Sequence, residues 1–267
     1  MSNIEPGKPR VLIGSAVHES KGYILDEFLA HLKQLDYEPL DIYLCDNSRT
    51  DSYSKRIAEA LKKINLKAKI EKDVWCSDFR GRMVTSHNML REEALRGNYD
   101  YLLILDQDIL IEPDLINKLI FHKKDVVSCI YKLDMGELGM VNCCWHRRKD
   151  LVNGRFRAKW IKDEEINKGL IQWDGGFPTG MVLLSHNVLE DTIFRHAGFL
   201  QDSIFWEDVR DAGYEVFLDT NIMGDHRPSD WERLRSQDVE DFKKARKCDE
   251  QGISDKFYFR PMVPKKW

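Results

Sequence analysis

The chain has 267 residues, with 41 Lys plus Arg against 45 Asp plus Glu and a formal net charge of −4 at pH 7. That balance gives no support to general polyanion binding, and 42% hydrophobic with 10% aromatic residues excludes wholesale disorder. No run approaches about 18 consecutive apolar residues, and the start MSNIEPGKPR is not a signal peptide, so the chain reads as soluble and cytoplasmic, without a transmembrane segment. Its 6 cysteines include no CxxC pair, which disfavours a disulfide scaffold or structural zinc. Those in VVSCIY and MVNCCW read as reduced core thiols.

Residues 10–17, RVLIGSAV, are short, β-branched and bounded by polar residues, as expected of a buried strand. Ile24, Leu25, Phe28, Leu29, Leu32 and Leu35 follow at helical spacing, with Ser20 placed as N-cap. Leu40, Ile42 and Leu44 alternate through a second strand that stops at Cys45-Asp46-Asn47-Ser48. Tyr53, Ile57, Ala60, Leu61 and Ile64 predict another helix, followed by a strand over 67–71, a helix over 82–96 and the apolar strand 101–105. This alternation argues for an α/β fold with a mostly parallel sheet flanked by helices, whose ligands bind at the carboxyl ends of the strands.

A strand over 125–130 comes next, after which residues 132–172 show no clear period and are expected to form a long acceptor-side loop. Regularity returns at 180–184, in a helix near 203–212 and in a strand over 215–218. Residues 229–267 are highly charged and read as a C-terminal extension, a helix plus tail, on a single domain.

The strongest local signal is LLILDQDIL, where Asp106 and Asp108 close a buried strand. Two carboxylates one residue apart can share a divalent cation, and oxygen ligands suit magnesium or manganese, which can also grip a diphosphate. The plainer alternative is a turn cap at Asp106 and a solvated Asp108. A basic, aromatic-interleaved run spans His146, Arg147, Arg148 and Lys149, and then Arg155 to Trp160. It could meet an anionic acceptor, including nucleic acid, or could simply be a solvated loop. Trp173 and Trp206 are candidates to stack on a sugar face, with core packing the alternative for Trp206.

The block YDYLLILDQDILIEPDLINKL resembles the nucleotide-sugar site of GT-A glycosyltransferases, especially family 2. VLIGSAVHES, LCDNSRTDSY, TSHNMLREEALRGNYDYLLILDQD, GGFPTGMVLLSHNVLE and QDSIFWEDVRDAGYEVFLDTNIMGDH are similar to that family's ordered landmarks, over roughly residues 9–228. The resemblance implies a GT-A domain over 1–228, with 9–131 binding the nucleotide sugar and 132–228 serving acceptor and catalysis. It implies metal-dependent transfer from a nucleoside-diphosphate sugar, a UDP-sugar by preference, to an acceptor hydroxyl with inversion. The acceptor stays open among glycan, lipid-linked sugar, protein and modified nucleic acid.

By position, the resemblance places Ala16, His18, Glu19, Asp46, Asn88, Asp106 and Gln107 on the nucleotide sugar, with Asp46 accepting from uracil. Asp106, Asp108 and His226 would hold Mn2+ or Mg2+. Asp202 would be the general base, and Arg147, Arg148, Trp173, Gly180 and Trp206 would lie on the acceptor side. Two departures stand out: His87 replaces a more usual arginine, and Gln201 replaces the Glu of a Glu-Asp pair. Glu207-Asp208 is a decoy, since the base lies eleven residues before Gly213. A sugar nucleotidylyltransferase would need a glycine-rich basic loop that GSAVHESKG lacks, and a non-catalytic binding module would sit uneasily with both Asp108 and Asp202 present.

Overall fold

The computed structural model describes residues 7–73, 78–134, 140–146, 151–152, 155–156, 159–195 and 201–228. Arg147, Arg148, Cys76, Cys248 and the whole extension 229–267 lie outside the described residues. The first half follows the expected alternation: β1 (Val11–Val17), α1 (Leu25–Lys33), β2 (Leu40–Asp46), α2 (Ser52–Ile64), β3 (Lys69–Lys72), α3 (Phe79–Arg96) and β4 (Tyr101–Leu105). Burial explains these elements: β1 is buried almost throughout, and α1 buries Leu25, Phe28, Leu29 and Leu32 at helical spacing.

Ser20 does not cap α1. It lies inside a 3-10 turn, Glu19–Lys21, whose cap is His18, the ring Nδ1 accepting from the Ser20 N–H at 3.1 Å. The helix starts later, at Leu25, with no side-chain cap. The turn inserts before the apolar period begins, which the period alone does not reveal.

The second half runs β5 (Ile109–Leu110), α4 (Leu115–Phe121), β6 (Val126–Asp134), β7 (Met140–Asn142), β8 (Trp145–His146), β9 (Leu151–Val152), β10 (Arg155–Phe156), β11 (Lys159–Trp160), β12 (Leu170–Gln172), β13 (Met181–Ser185), α5 (His186–Asp191), α6 (Gln201–Asp211) and β14 (Phe217–His226). The span 132–172 therefore carries short strands rather than one long loop. β7 pairs with β6, β12 with β14, and β8 with β11. Strands of two or three residues are too short to leave a period of two in the sequence.

Among the described residues the main sheet has ten strands, ordered β12-β14-β6-β13-β4-β1-β2-β3 with β5 on β14 and β7 on β6. β3, β2, β1 and β4 are parallel, whereas β13 is antiparallel to both neighbours, β4 and β6. β1 lies between β2 and β4, so the connections leave in opposite directions at its carboxyl end. A crevice opens at such a switch point. Because β13 runs the other way, its first residues meet the end of β4, with Met181 opposite Leu105. β14 breaks register between Asp219 and Met223, and its end then pairs with β5, setting His226 opposite Ile109. That bulge carries a late residue to the side of Asp108.

Candidate active site

The loop after β1 is sewn onto the DQD turn by the middle residue of that motif. Gln107, fully buried, accepts from the His18 N–H at 3.1 Å and donates to the Lys21 carbonyl at 2.9 Å and the Tyr53 hydroxyl at 2.5 Å. Lys21 then reaches down, its Nζ 2.7 Å from Asp108 Oδ1. On the other oxygen, His226 Nε2 stands 3.4 Å from Asp108 Oδ2. His226 Nδ1 is 2.8 Å from the Lys132 carbonyl, so that nitrogen must donate, and Nε2 is left facing the carboxylate.

Burial on its own would raise the Asp108 pKa, but the His226 and Lys21 contacts outweigh it and hold the carboxyl down at about 2. Burial likewise opposes the charged His226, yet Asp108 raises its pKa above the ordinary value. The donor set fits a borderline divalent cation: one carboxylate and one imidazole whose far nitrogen is latched. Among the described residues no three His, Cys, Asp or Glu side chains stand together as a ready cage. The expected convergence of Asp106, Asp108 and His226 thus reduces to the Asp108–His226 pair, and phosphate oxygens would have to complete a shell.

Asp106 lines a cleft of about 190 Å³ together with Phe79, Arg80, Met83, Pro178, Thr179, Gly180, Gln201 and Asp202. The Gly180 carbonyl accepts from the Asp106 N–H at 2.7 Å, and a Cβ on Gly180 would sit 2.7 Å from both Asp106 Oδ2 and the Tyr131 hydroxyl. Only glycine allows this approach. Gly180 therefore abuts the DQD carboxylate within the cleft that Asp202 also lines.

Asp202 lies in the first turn of α6. Its Oδ1 accepts from the Thr179 hydroxyl at 2.8 Å, and that hydroxyl is also 3.2 Å from His87 Nε2. His87 Nδ1 is 2.7 Å from the Met83 carbonyl, and the Gln201 amide faces the same nitrogen at 3.4 Å. The two departures from the family pattern, His87 and Gln201, thus touch each other behind Asp202. Burial raises the Asp202 pKa, Asp106 adds to the rise, and the Thr179 hydroxyl and His87 only partly offset it. The helix N-terminus, which favours the anion, does not win.

Several expected contacts are engaged inside the protein. Asp46 is wholly buried, Oδ1 accepting from the Ser48 N–H at 2.9 Å and Oδ2 from the Ser54 hydroxyl at 2.5 Å, with the Lys72 ammonium 3.5 Å away. Asn88 clasps the Phe194 backbone through both ends of its amide, at 2.8 and 3.0 Å. Ala16 and His18 are half-buried and Glu19 exposed at the crevice. Trp206 is 1% exposed, and its indole N–H donates to the Phe177 carbonyl. Trp173 is also buried, tilted against the His146 ring at 4.7 Å. Both tryptophans are core residues and present no face to a sugar. Asp208 is held by two bonds from Arg195, and Glu207 lies 4.0 Å from Arg210.

Lys21, Thr179 and Tyr131 escaped the sequence reading. Lys21 had a signal, as a lone cation in the loop after β1, but its partner becomes visible only when Gln107 pins that loop. Thr179 and Tyr131 carried none, since their roles arise from the antiparallel placement of β13 between β4 and β6.

No family profile matches the chain, and no curated protein matches it. Solved structures do. The mannosyltransferase PcManGT from Pyrobaculum calidifontis, in complex with GDP-Man and Mn2+, superposes with a TM-score of 0.56 at 16% identity, over 85% of this chain and 59% of that one. S. aureus TarS 1–349 in complex with UDP-GlcNAc gives a TM-score of 0.54 at 13% identity, over 84% and 60%. S. aureus TarS gives 0.56 at 15%, over 86% and 38%. The chain spans about three fifths or less of the length of these structures. The fold is that of the GT-A glycosyltransferases, as the motifs implied. Among the described residues no helix is long and apolar enough to cross a membrane.

Proposed function

We propose that the chain is a glycosyltransferase that moves a sugar from a nucleoside-diphosphate sugar to an acceptor hydroxyl, with inversion at the anomeric carbon. The observation that carries this reading is the single cleft shared by Asp106, at the end of the DQD strand, and Asp202, at the start of α6. Asp202 Oδ1 is held by Thr179, which leaves Oδ2 to take the proton of the attacking hydroxyl. The acceptor oxygen bonds to the anomeric carbon as the bond to the diphosphate oxygen breaks on the opposite face. A positioned base of this kind typically contributes about 10²–10⁴-fold.

Asp108 and His226 would hold a divalent cation, Mn2+ by the mixed oxygen and imidazole set, which when bound stabilises the departing diphosphate as a Lewis acid. Lys21 adds positive charge on the same side. The donor is a UDP-sugar in this reading, on the resemblance of the β1 and β2 ends to the family's base-facing segments and not on the Asp46 carboxylate, whose oxygens are engaged by Ser48 and Ser54. The acceptor side is assigned to residues 132–172 with the Arg147–Arg148 run, so substitution there should weaken acceptor use and spare UDP binding.

Labelled UDP- and GDP-sugars incubated with the full chain, with and without Mn2+, test the reading. Slow Mn2+-dependent release of UDP supports it. Thermal-shift titration with UDP, GDP and CDP ranks the base pocket, and a larger shift with GDP would replace uridine by guanosine. Absence of nucleotide release from every donor, alongside tight binding, would favour the non-catalytic binding module.

A further inference from the structure

The Asp108 carboxylate already has a cation on it. The turn Glu19–Lys21 is anchored on two sides: Gln107 holds the His18 N–H and the Lys21 carbonyl, and the Glu19 N–H donates to the Ser48 hydroxyl at 2.8 Å. Just beyond, the Gly22 carbonyl accepts from Arg56 at 2.7 Å. With the backbone fixed, the four-carbon stem of Lys21 spans from this anchored turn to Asp108 Oδ1 at 2.7 Å. The carboxylate is 3% exposed and sits between this ammonium and the His226 imidazole. A divalent ion entering between Asp108 and His226 would meet a unit positive charge at hydrogen-bond distance from the oxygen it needs. In a poorly solvated setting that repulsion is large.

We propose that Lys21 is a resident counter-cation that keeps divalent ions off Asp108 until a nucleoside diphosphate arrives. The diphosphate then draws the ammonium onto its own oxygens and frees Oδ1. Lysine suits this task because its ammonium is a compact point charge on a flexible stem, with three donors that any phosphate oxygen can accept. Divalent ion and nucleotide thereby bind with positive coupling, and by linkage each raises the affinity of the other equally. The inference rests on the reading of Asp108 and His226 as cation ligands.

The test measures Mn2+ binding by the loss of the free-ion EPR signal, on the full chain, with and without UDP. Wild type should bind Mn2+ at least about tenfold more weakly without UDP than with it, the size expected of a like charge a few ångströms away. Lys21→Met, which keeps the stem, and Lys21→Gln should each raise nucleotide-free Mn2+ affinity about tenfold while weakening metal-free UDP binding, by the same electrostatic argument. If both variants leave nucleotide-free Mn2+ affinity unchanged while UDP-dependent Mn2+ binding persists, the gate is wrong and the metal reading survives. If neither wild type nor the variants bind Mn2+ even with UDP, both fall. Circular dichroism of the two variants confirms that they are folded, and the UDP dependence of wild type overturns the proposal by itself if it is absent.

Discussion

Asp108, buried beside the DQD turn, and Asp202, half-buried in the cleft, are pushed in opposite directions by their environments. Asp108 lies between an ammonium and an imidazole and is held down at about 2. Asp202, beside Asp106 and with one hydroxyl for support, is pushed up from its ordinary value. An anion that stays charged at every physiological pH suits cation binding, whereas one that can accept a proton suits general base work. Where neighbouring titratable groups diverge like this, their roles divide. The proposed cation side and the proposed base side thus use the same residue type, differentiated by their neighbours.

The largest effect is expected at Asp202. Asp202→Asn keeps size and the Thr179 contact, so donor binding should persist while turnover falls about 10²-fold or more, the contribution of a lost general base. In wild type, kcat/KM should decline on the acid side as Asp202 takes up its proton, at a pH above the usual Asp value of 3.8 because the group is raised. A variant that retains near-full activity, or a product of retained anomeric configuration, would remove Asp202 from the mechanism.

Stability distinguishes the two sides next. The Asp108 pKa is depressed, so its contribution to folding is present above the unfolded-state value and lost as pH falls towards about 2. Asp108→Asn should therefore destabilise at pH 7 by something on the order of 2 kcal/mol, with the difference from wild type closing as pH drops below about 4. The Asp202 pKa is raised, so ionising it in the folded state opposes folding. Asp202→Asn should leave Tm at pH 7 equal to or above wild type. Urea or thermal unfolding of the pair checks this, and equal losses of stability in both variants would show that the two environments do not differ.

The donor half was largely legible in the sequence because its signals are local. Strands β1, β2 and β4 are short apolar runs, and Asp106 and Asp108 fall directly after one of them. The antiparallel half was not, because its placement depends on pairings between distant residues. Nothing in GGFPTG announces that Gly180 will lie against Asp106, or that Thr179 will bond to Asp202. The tryptophans misled for a related reason: an aromatic near a motif looks available, but Trp206 satisfies its indole N–H inside the core. Asp46 and Asn88 keep their expected positions, yet their polar atoms are taken up by Ser48, Ser54 and the Phe194 backbone. Position along a strand is readable from sequence; the direction and partners of a polar side chain are not.

The finest test of the base side is Thr179→Val, a nearly isosteric change that deletes one hydroxyl. That hydroxyl is 2.8 Å from Asp202 Oδ1 and 3.2 Å from His87 Nε2. It holds the Asp202 pKa below where burial and Asp106 would otherwise drive it. His87 keeps its ring orientation through the Met83 carbonyl, so the variant should lose the bond to Asp202 without losing the histidine. Hydrogen bonds to charged groups stabilise the ionised form, so without this one the Asp202 pKa should rise further. The acid limb of kcat/KM should then move to higher pH, while activity well above it stays within a few-fold of wild type, as expected when only the protonation of the base has changed. An acid limb that does not move would assign it to a different group and would leave Thr179 as packing alone.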